Sequence, residues 1–309
     1  MKKIFSLFLL FISLISLYAC HNPNNNYDIY ASIYPLEYLA KRIVGNHLKV
    51  GSSYPRGADV HEYEPPANQI VKMSKSKILF YIGAGLEGFL GEAKKSAFEK
   101  SGCQLVELST FVNLVSFEEI GGEGDHKHIA DPHIWLDPLR MIVLAEVIRD
   151  KVIAIDPNNA SDYQANASLV INDLNTLHDR YVELLLENPV YSDLSILVDH
   201  DAYAYWEDRY GIKRIHTRIE NHSCEIIPSE FNKNLAIIEE KNIKYIIVTK
   251  NESTCPIVEQ YITKANLTKE YIHSLATITK SEEEKGIDYL EVMYINLSIL
   301  TKVLPKEGN

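Results

Sequence analysis

The feature that most restricts the fold is a proline-free stretch at residues 158–187, in which Tyr163, Ala167, Val170, Leu174, Leu177, Tyr181 and Leu184 recur every three or four positions. Apolar residues at that spacing line one face of an α-helix. Pro157 stands at its start and Pro189 just beyond its end, both sensible punctuation for a helix. At 1.5 Å per residue such a helix would reach about 45 Å. A chain with this element near its middle is expected to be a two-part molecule built around a stiff spine.

Short β-rich runs alternate with helix-length segments on both sides of it. They fall at 27–34, 48–54, 78–82 and 105–108 in the first half, and at 195–198, 214–219, 245–248 and 271–275 in the second. That rhythm predicts βαβ units and parallel sheets. With 309 residues the chain suits about two domains. The expected fold class is therefore α/β: two similar α/β lobes with parallel sheets, at 28–156 and 189–309, joined by one long rigid helix at 157–188. In such architectures a ligand sits in the interlobe cleft, at the carboxyl ends of the strands. Residues 288–304 read as a closing amphipathic helix with Tyr289, Val292, Met293, Asn296, Leu297, Leu300 and Val303 on its apolar face. The charged run 280–285 reads as a solvated surface.

The N-terminus bears on compartment. Lys2 and Lys3 precede an apolar run at 4–17 that closes Leu17-Tyr18-Ala19-Cys20, the pattern of a secretory signal at 1–19. A cysteine directly after Leu-Tyr-Ala resembles the lipobox of bacterial lipoproteins, which implies cleavage before Cys20 and a new N-terminal cysteine that carries acyl chains as an anchor. Residues 20–27, rich in asparagine, then form a polar tether. No second apolar run approaches the roughly 20 residues of a membrane span. The expected location is extracytoplasmic, anchored through lipid at Cys20. The net charge of −11 leaves no broad positive field for phosphates, so no nucleic-acid role is expected. A monomer is expected. In an oxidising compartment Cys224 and Cys255, each in a polar loop beside an apolar run, are the expected disulfide, with Cys103 left as a buried thiol.

Three histidines each follow an apolar run and sit in turn-like sequence: His61 in Gly57-Ala58-Asp59-Val60-His61-Glu62-Tyr63-Glu64-Pro65, His133 in Asp131-Pro132-His133-Ile134-Trp135-Leu136-Asp137-Pro138, and His200 in Asp199-His200-Asp201-Ala202-Tyr203. Imidazole suits borderline transition metals, and three such ligands leave one tetrahedral position for a carboxylate or water. Asp59, Asp131, Asp137, Asp199 and Asp201 could orient the rings. A lone histidine at a strand end is more often a hydrogen-bonded structural residue, so spacing alone leaves both readings open. Glu62 and Glu64 raise the question of a zinc hydrolase. The chain has no His-Glu-x-x-His segment, no Gly-x-Ser-x-Gly elbow and no Cys-x-x-Cys pair to support one.

Taken in order, the His61 and His133 motifs, Gly83-Ala84-Gly85-Leu86-Glu87 and His200-Asp201-Ala202-Tyr203-Ala204-Tyr205-Trp206 resemble the successive motifs of the metal-binding lipoproteins that serve zinc and manganese ABC importers. The resemblance covers essentially the whole mature chain. It implies two α/β lobes joined by one helix, no enzymatic activity, and an ABC permease with its ATPase as partners. It implies His61 and His133 as ligands from the first lobe and His200 as the ligand from the second. Members that favour manganese tend to carry a carboxylate where His200 stands, so Zn²⁺ is the expected cargo. Mn²⁺ or iron binding and a surface adhesin are the alternatives.

The resemblance also marks a departure. Where many relatives place a fourth, aspartate ligand, this chain has Thr279-Lys280-Ser281, and a protonated ammonium cannot ligate a cation. Glu282 or Glu283 nearby, Glu225, His222 or Glu252 in the second lobe, or water are the candidates for the fourth position. Asp125-His126-Lys127-His128 stands where zinc-binding relatives often carry a histidine-rich loop. His126 and His128 are either a short auxiliary zinc-collecting loop or a solvated surface loop. Tyr203, Tyr205 and Trp206 are expected to pack as core, with an aromatic wall beside the metal as the other reading.

Overall fold

The computed structural model describes residues 27–116, 130–191, 193–200, 202–217, 227–251 and 254–306. Among the described residues eight short strands form two all-parallel sheets. In the first, β1 (Ile29–Ala31), β2 (Val50–Ser52), β3 (Ile78–Tyr81) and β4 (Gln104–Glu107) lie in the order β2-β1-β3-β4. In the second, β5 (Ser195–Val198), β6 (Lys213–His216), β7 (Tyr245–Lys250) and β8 (Thr268–His273) repeat that order as β6-β5-β7-β8. Ile29 of β1 faces both Val50 and Ile78, and Val198 of β5 faces both His216 and Ile247.

Every β-rich run of the sequence carries one of these strands. The reason is visible in β3 and β5, where all four residues are buried. A parallel sheet covered on both faces takes unbroken apolar runs. In each sheet the strand order reverses beside the first strand, between β1 and β3 and again between β5 and β7, and such a reversal opens a crevice at the carboxyl edge.

The spine is an α-helix at Ala160–Tyr181, entered through a 3₁₀ turn at Pro157–Asn159 and left through a π-helical turn at Val182–Leu186. Its 22 α-helical residues span about 33 Å, shorter than the full stretch suggested because both ends change helix type. Tyr163, Ala167, Val170, Leu174, Leu177 and Tyr181 form its buried face. The spine does not stand alone. A helix at Pro138–Ile155, capped by the Asp137 carboxylate on the Leu139 N–H, packs along it and also against the helix Tyr34–Val44. The closing helix, Tyr289–Val303, buries all seven residues expected of it and rests on β8 and the spine.

One hydrophobic cluster runs from Ile29 and Phe80 of the first sheet through the spine to Ile196, Val198, Ile247 and Ile272 of the second and on to the closing helix. A separate cluster, including Leu197, Ile246, Val248 and Tyr261, covers the other face of the second sheet. Neighbours along β5 and β7 divide between the two clusters because strand side chains alternate faces. The lobes are therefore topological repeats that share a core.

The charged run at 280–285 corrects an expectation. It forms a short helix, Lys280–Glu284, whose Lys280 is 81% exposed, but Glu282 is buried. Thr279 and Glu282 make a reciprocal capping box that draws the glutamate inward. Cys255 is disulfide-bonded and Cys103 is a free, buried thiol. The signal, Cys20, His126, His128, His222, Cys224, Glu225 and Glu252 lie outside the described residues. Among the described residues no helix is long and apolar enough to cross a membrane.

Candidate metal centre

His61, His133 and His200 come together. Each offers a ring nitrogen, and the three nitrogens lie within 4.8 Å of one another. The ring centroids are 5.7 Å apart for His61 and His133, 5.9 Å for His61 and His200, and 5.6 Å for His133 and His200. Among the described residues no carboxylate or cysteine joins this group.

Three different local structures deliver the rings. His61 lies in the loop after β2, in a turn closed by Asp59, whose Oδ1 accepts the His61 N–H at 2.9 Å and whose carbonyl accepts the Tyr63 N–H at 2.9 Å. Aspartate closing its own turn in this way is ordinary loop chemistry. His133 follows Asp131-Pro132 and leads into a 3₁₀ turn at Ile134–Leu136. His200 comes two residues after β5, at the crevice of the second sheet.

Among the aspartates that sequence suggested as ring partners, Asp131 is bonded to a ring of the cluster. It is fully buried, and its Oδ1 accepts from His133 Nδ1 at 2.7 Å. With that proton on Nδ1, Nε2 is the nitrogen left to take a metal. Asp137 instead caps its helix and binds Arg140 at 2.5 Å and Arg209 at 2.8 Å. Asp199 accepts the Thr249 N–H at 3.0 Å, and Asp201 lies outside the described residues.

The aromatic residues are core, as expected, and their polar tips fasten the His133 segment to the second lobe. Tyr205 Oη donates to the Asp131 carbonyl at 2.6 Å, Trp206 Nε1 to the Leu136 carbonyl at 3.0 Å, and Tyr289 Oη to the Trp135 carbonyl at 2.7 Å. In the other direction Trp135 Nε1 donates to the Ser274 carbonyl at 2.7 Å, while its ring lies 5.1 Å from that of His133. A buried indole or phenol needs such a partner.

Glu282 is not part of the cluster. Its Oε1 takes Lys250 Nζ at 2.5 Å, and its Oε2 takes the Thr279 N–H at 2.9 Å and hydroxyl at 2.7 Å, with His273 Nε2 at 3.5 Å. Burial would raise this carboxyl, but Lys250 and Thr279 outweigh it and bring it down to about 2. Glu283 pairs with Arg56 at 2.6 Å. His273 escaped the sequence reading, although it ends β8 much as His200 follows β5. The Thr279-x-x-Glu282 spacing of a capping box is legible in the sequence.

The fold and the site define a spine-linked, two-lobed α/β protein in which three histidines converge. Residues 29–303 match the model of the family described as ZnuA, zinc-uptake complex component A, periplasmic, and the chain belongs to that family. The zinc-binding lipoprotein AdcA of Streptococcus pneumoniae strain R6 is 26% identical over 316 residues, an alignment that takes in 100% of this chain and 62% of AdcA. The chain thus spans about 62% of the length of that relative. The manganese-binding lipoprotein MntA of Halalkalibacterium halodurans is 28% identical over 217 residues, covering 70% of this chain and 69% of MntA. The crystal structure of Zn(II)-bound AdcA from Streptococcus pneumoniae superposes with a TM-score of 0.75 at 25% identity, over 92% of this chain and 59% of that one. A crystal structure of ZnuA shares the fold with a TM-score of 0.76 at 23% identity, over 91% of this chain and 100% of that one.

Proposed function

We propose that the protein captures Zn²⁺ at His61, His133 and His200 and delivers it to the permease and ATPase of an ABC importer. The observation that carries this reading is the convergence of three imidazole nitrogens within 4.8 Å of one another. An all-nitrogen set favours zinc over manganese, which prefers oxygen donors. The fourth position falls to water or to a residue outside the described ones, with Glu225, His222 and Glu252 as candidates. The relatives support a zinc cargo through AdcA and keep manganese as the alternative through MntA.

The protein acts as a binding protein and not as an enzyme. Neither glutamate beside His61 is set as a general base: Glu62 is exposed, and Glu64 is an exposed partner of Lys94 at 3.4 Å. The protein is read as a monomer, and its retention outside the cytoplasm by lipid at Cys20 fits the N-terminal pattern and the lipoprotein names of its relatives. His126 and His128 are at most an auxiliary collector.

Calorimetric titration of the metal-free chain from residue 21 onward with Zn²⁺ and with Mn²⁺, beside a His200→Ala variant, tests the reading. One-to-one zinc binding, much weaker manganese binding and loss of heat in the variant are expected. Stronger manganese binding would move the cargo to manganese, and binding of neither ion would overturn a metal-capture role.

A further inference from the structure

His273 ends β8, lies outside the histidine cluster, and is buried. Its main chain is gripped twice by one side chain: Asn296 Oδ1 accepts its N–H at 3.1 Å, and Asn296 Nδ2 donates to its carbonyl at 2.9 Å. Its ring Nδ1 accepts the Leu275 N–H at 2.9 Å, which makes the ring neutral with its proton on Nε2, facing Glu282. A ring nitrogen that accepts the N–H two residues further on does the work of the side-chain oxygen in an Asx turn. The turn it closes is an unusual one. Leu275 is fully buried and adopts φ +64°, a left-handed conformation rare for a bulky residue.

Beyond that turn, residues 274–278 form a strap that bonds to the first lobe at three points. The Ser274 carbonyl accepts Trp135 Nε1 at 2.7 Å, and the Ala276 carbonyl accepts the Tyr34 N–H at 3.3 Å. The Gly57 N–H reaches both Thr277 Oγ1 and the Ile278 carbonyl at 3.0 Å. Trp135 packs on His133, and Gly57 opens the loop that carries His61. The strap therefore holds the supports of both first-lobe histidines against the lobe that carries His200.

We propose that His273 is a positioning residue of the metal centre. Its ring nitrogen sets the turn at Leu275, the turn sets the strap, and the strap sets how closely His61 and His133 approach His200. The inference rests on the proposed function in taking those three histidines as the ligands.

The test compares His273→Leu, which removes the acceptor, with His273→Asn, whose Oδ1 can accept the same N–H in a true Asx turn. Two quantities are read in the chain from residue 21 onward: amide exchange at Leu275, Gly57 and Tyr34 without metal, and Zn²⁺ affinity and release to a chelator. The leucine variant is expected to exchange faster at all three amides and to bind zinc about tenfold more weakly, and the asparagine variant to recover both. Wild-type behaviour of the leucine variant, or an asparagine variant no better than leucine, overturns the proposal. Should wild-type protein bind no zinc, the ligand assignment fails, while the amide exchange still judges the strap on its own. Should the leucine variant not fold, the wild-type Leu275 amide decides: slow exchange supports the turn, and exchange as fast as in the open loops refutes it.

Discussion

His133 Nδ1 and Asp131 Oδ1 lie 2.7 Å apart, and the same oxygen accepts the His133 backbone N–H, also at 2.7 Å. One buried carboxylate thus fixes the histidine's ring and its main chain together. Ligand basicity and ring orientation both depend on such a partner, whose loss typically costs 10–100-fold in metal affinity. Asp131→Asn keeps an oxygen acceptor but removes the charge, so a loss of about 10-fold is expected; Asp131→Ala removes both, and a loss of about 100-fold is expected. Competition titration against a zinc chelator measures the two. Equal, wild-type affinities in both variants would refute the orienting role.

The buried pair of Glu282 and His273 gives the fold a pH dependence away from the cluster. Burial raises the Glu282 carboxyl, but Lys250 and Thr279 dominate and hold it at about 2. A carboxyl depressed in the folded state stabilises the fold above its unfolded value, and that contribution fades as pH falls toward the folded one. For Glu282 the window runs from about pH 4.3 down to about 2. His273 moves the same way in stability. Burial and Lys250 lower its pKa against the pull of Glu282, so its neutral form belongs to the fold and stability declines as pH drops below about 6.5. Urea midpoints of the metal-free protein should therefore fall on acidification. In Glu282→Gln the midpoint should be lower at pH 7 and flatter below pH 4.3; a slope unchanged from wild type would discount the Glu282 contribution.

The shared core predicts how the molecule unfolds. Two lobes with separate cores would melt independently, whereas a cluster continuous from Ile29 to Ile272 ties both sheets to one spine. Tryptophan fluorescence and far-ultraviolet circular dichroism should trace one coincident transition in urea. Trp206→Phe keeps an aromatic ring in place but leaves the Leu136 carbonyl without its indole donor, which should cost about 1–3 kcal/mol. Two resolved transitions in wild-type protein would contradict the shared core.

Much of this architecture was legible because its signals are local. Parallel strands buried on both faces give runs such as Ile78 to Tyr81, and the spine's single buried stripe gives a clear helical period. The helix Pro138–Ile155 was not distinguished, since it packs against two neighbouring helices and its apolar residues do not keep to one narrow stripe. The three histidines were individually unremarkable, and their convergence needed the order of motifs along the whole chain. The strap was beyond reach for a different reason. The left-handed Leu275 and the acceptor role of His273 depend on Asn296, Glu282, Trp135 and Gly57, all distant in sequence or on another element.

The partner of Cys255 can be argued from chemistry and topology together. Cys255 is disulfide-bonded, and Cys103 is a free thiol. If the Cys20 sulfur carries the lipid thioether proposed above, it cannot form a disulfide, and Cys224 is then the expected partner. In sequence Cys224 comes after β6 and Cys255 after β7, and both connections leave the carboxyl edge of one parallel sheet, on either side of the strand that leads to His200. The bond would close a loop of about 30 residues, for which chain entropy gives about 3–4 kcal/mol. Proteolysis without reductant, followed by mass spectrometry, should recover a linked Cys224–Cys255 peptide pair. Reduction should lower the melting temperature, and Cys224→Ser should match the reduced wild type. A linked peptide joining Cys255 to Cys20 would refute the pairing and the lipid anchor together.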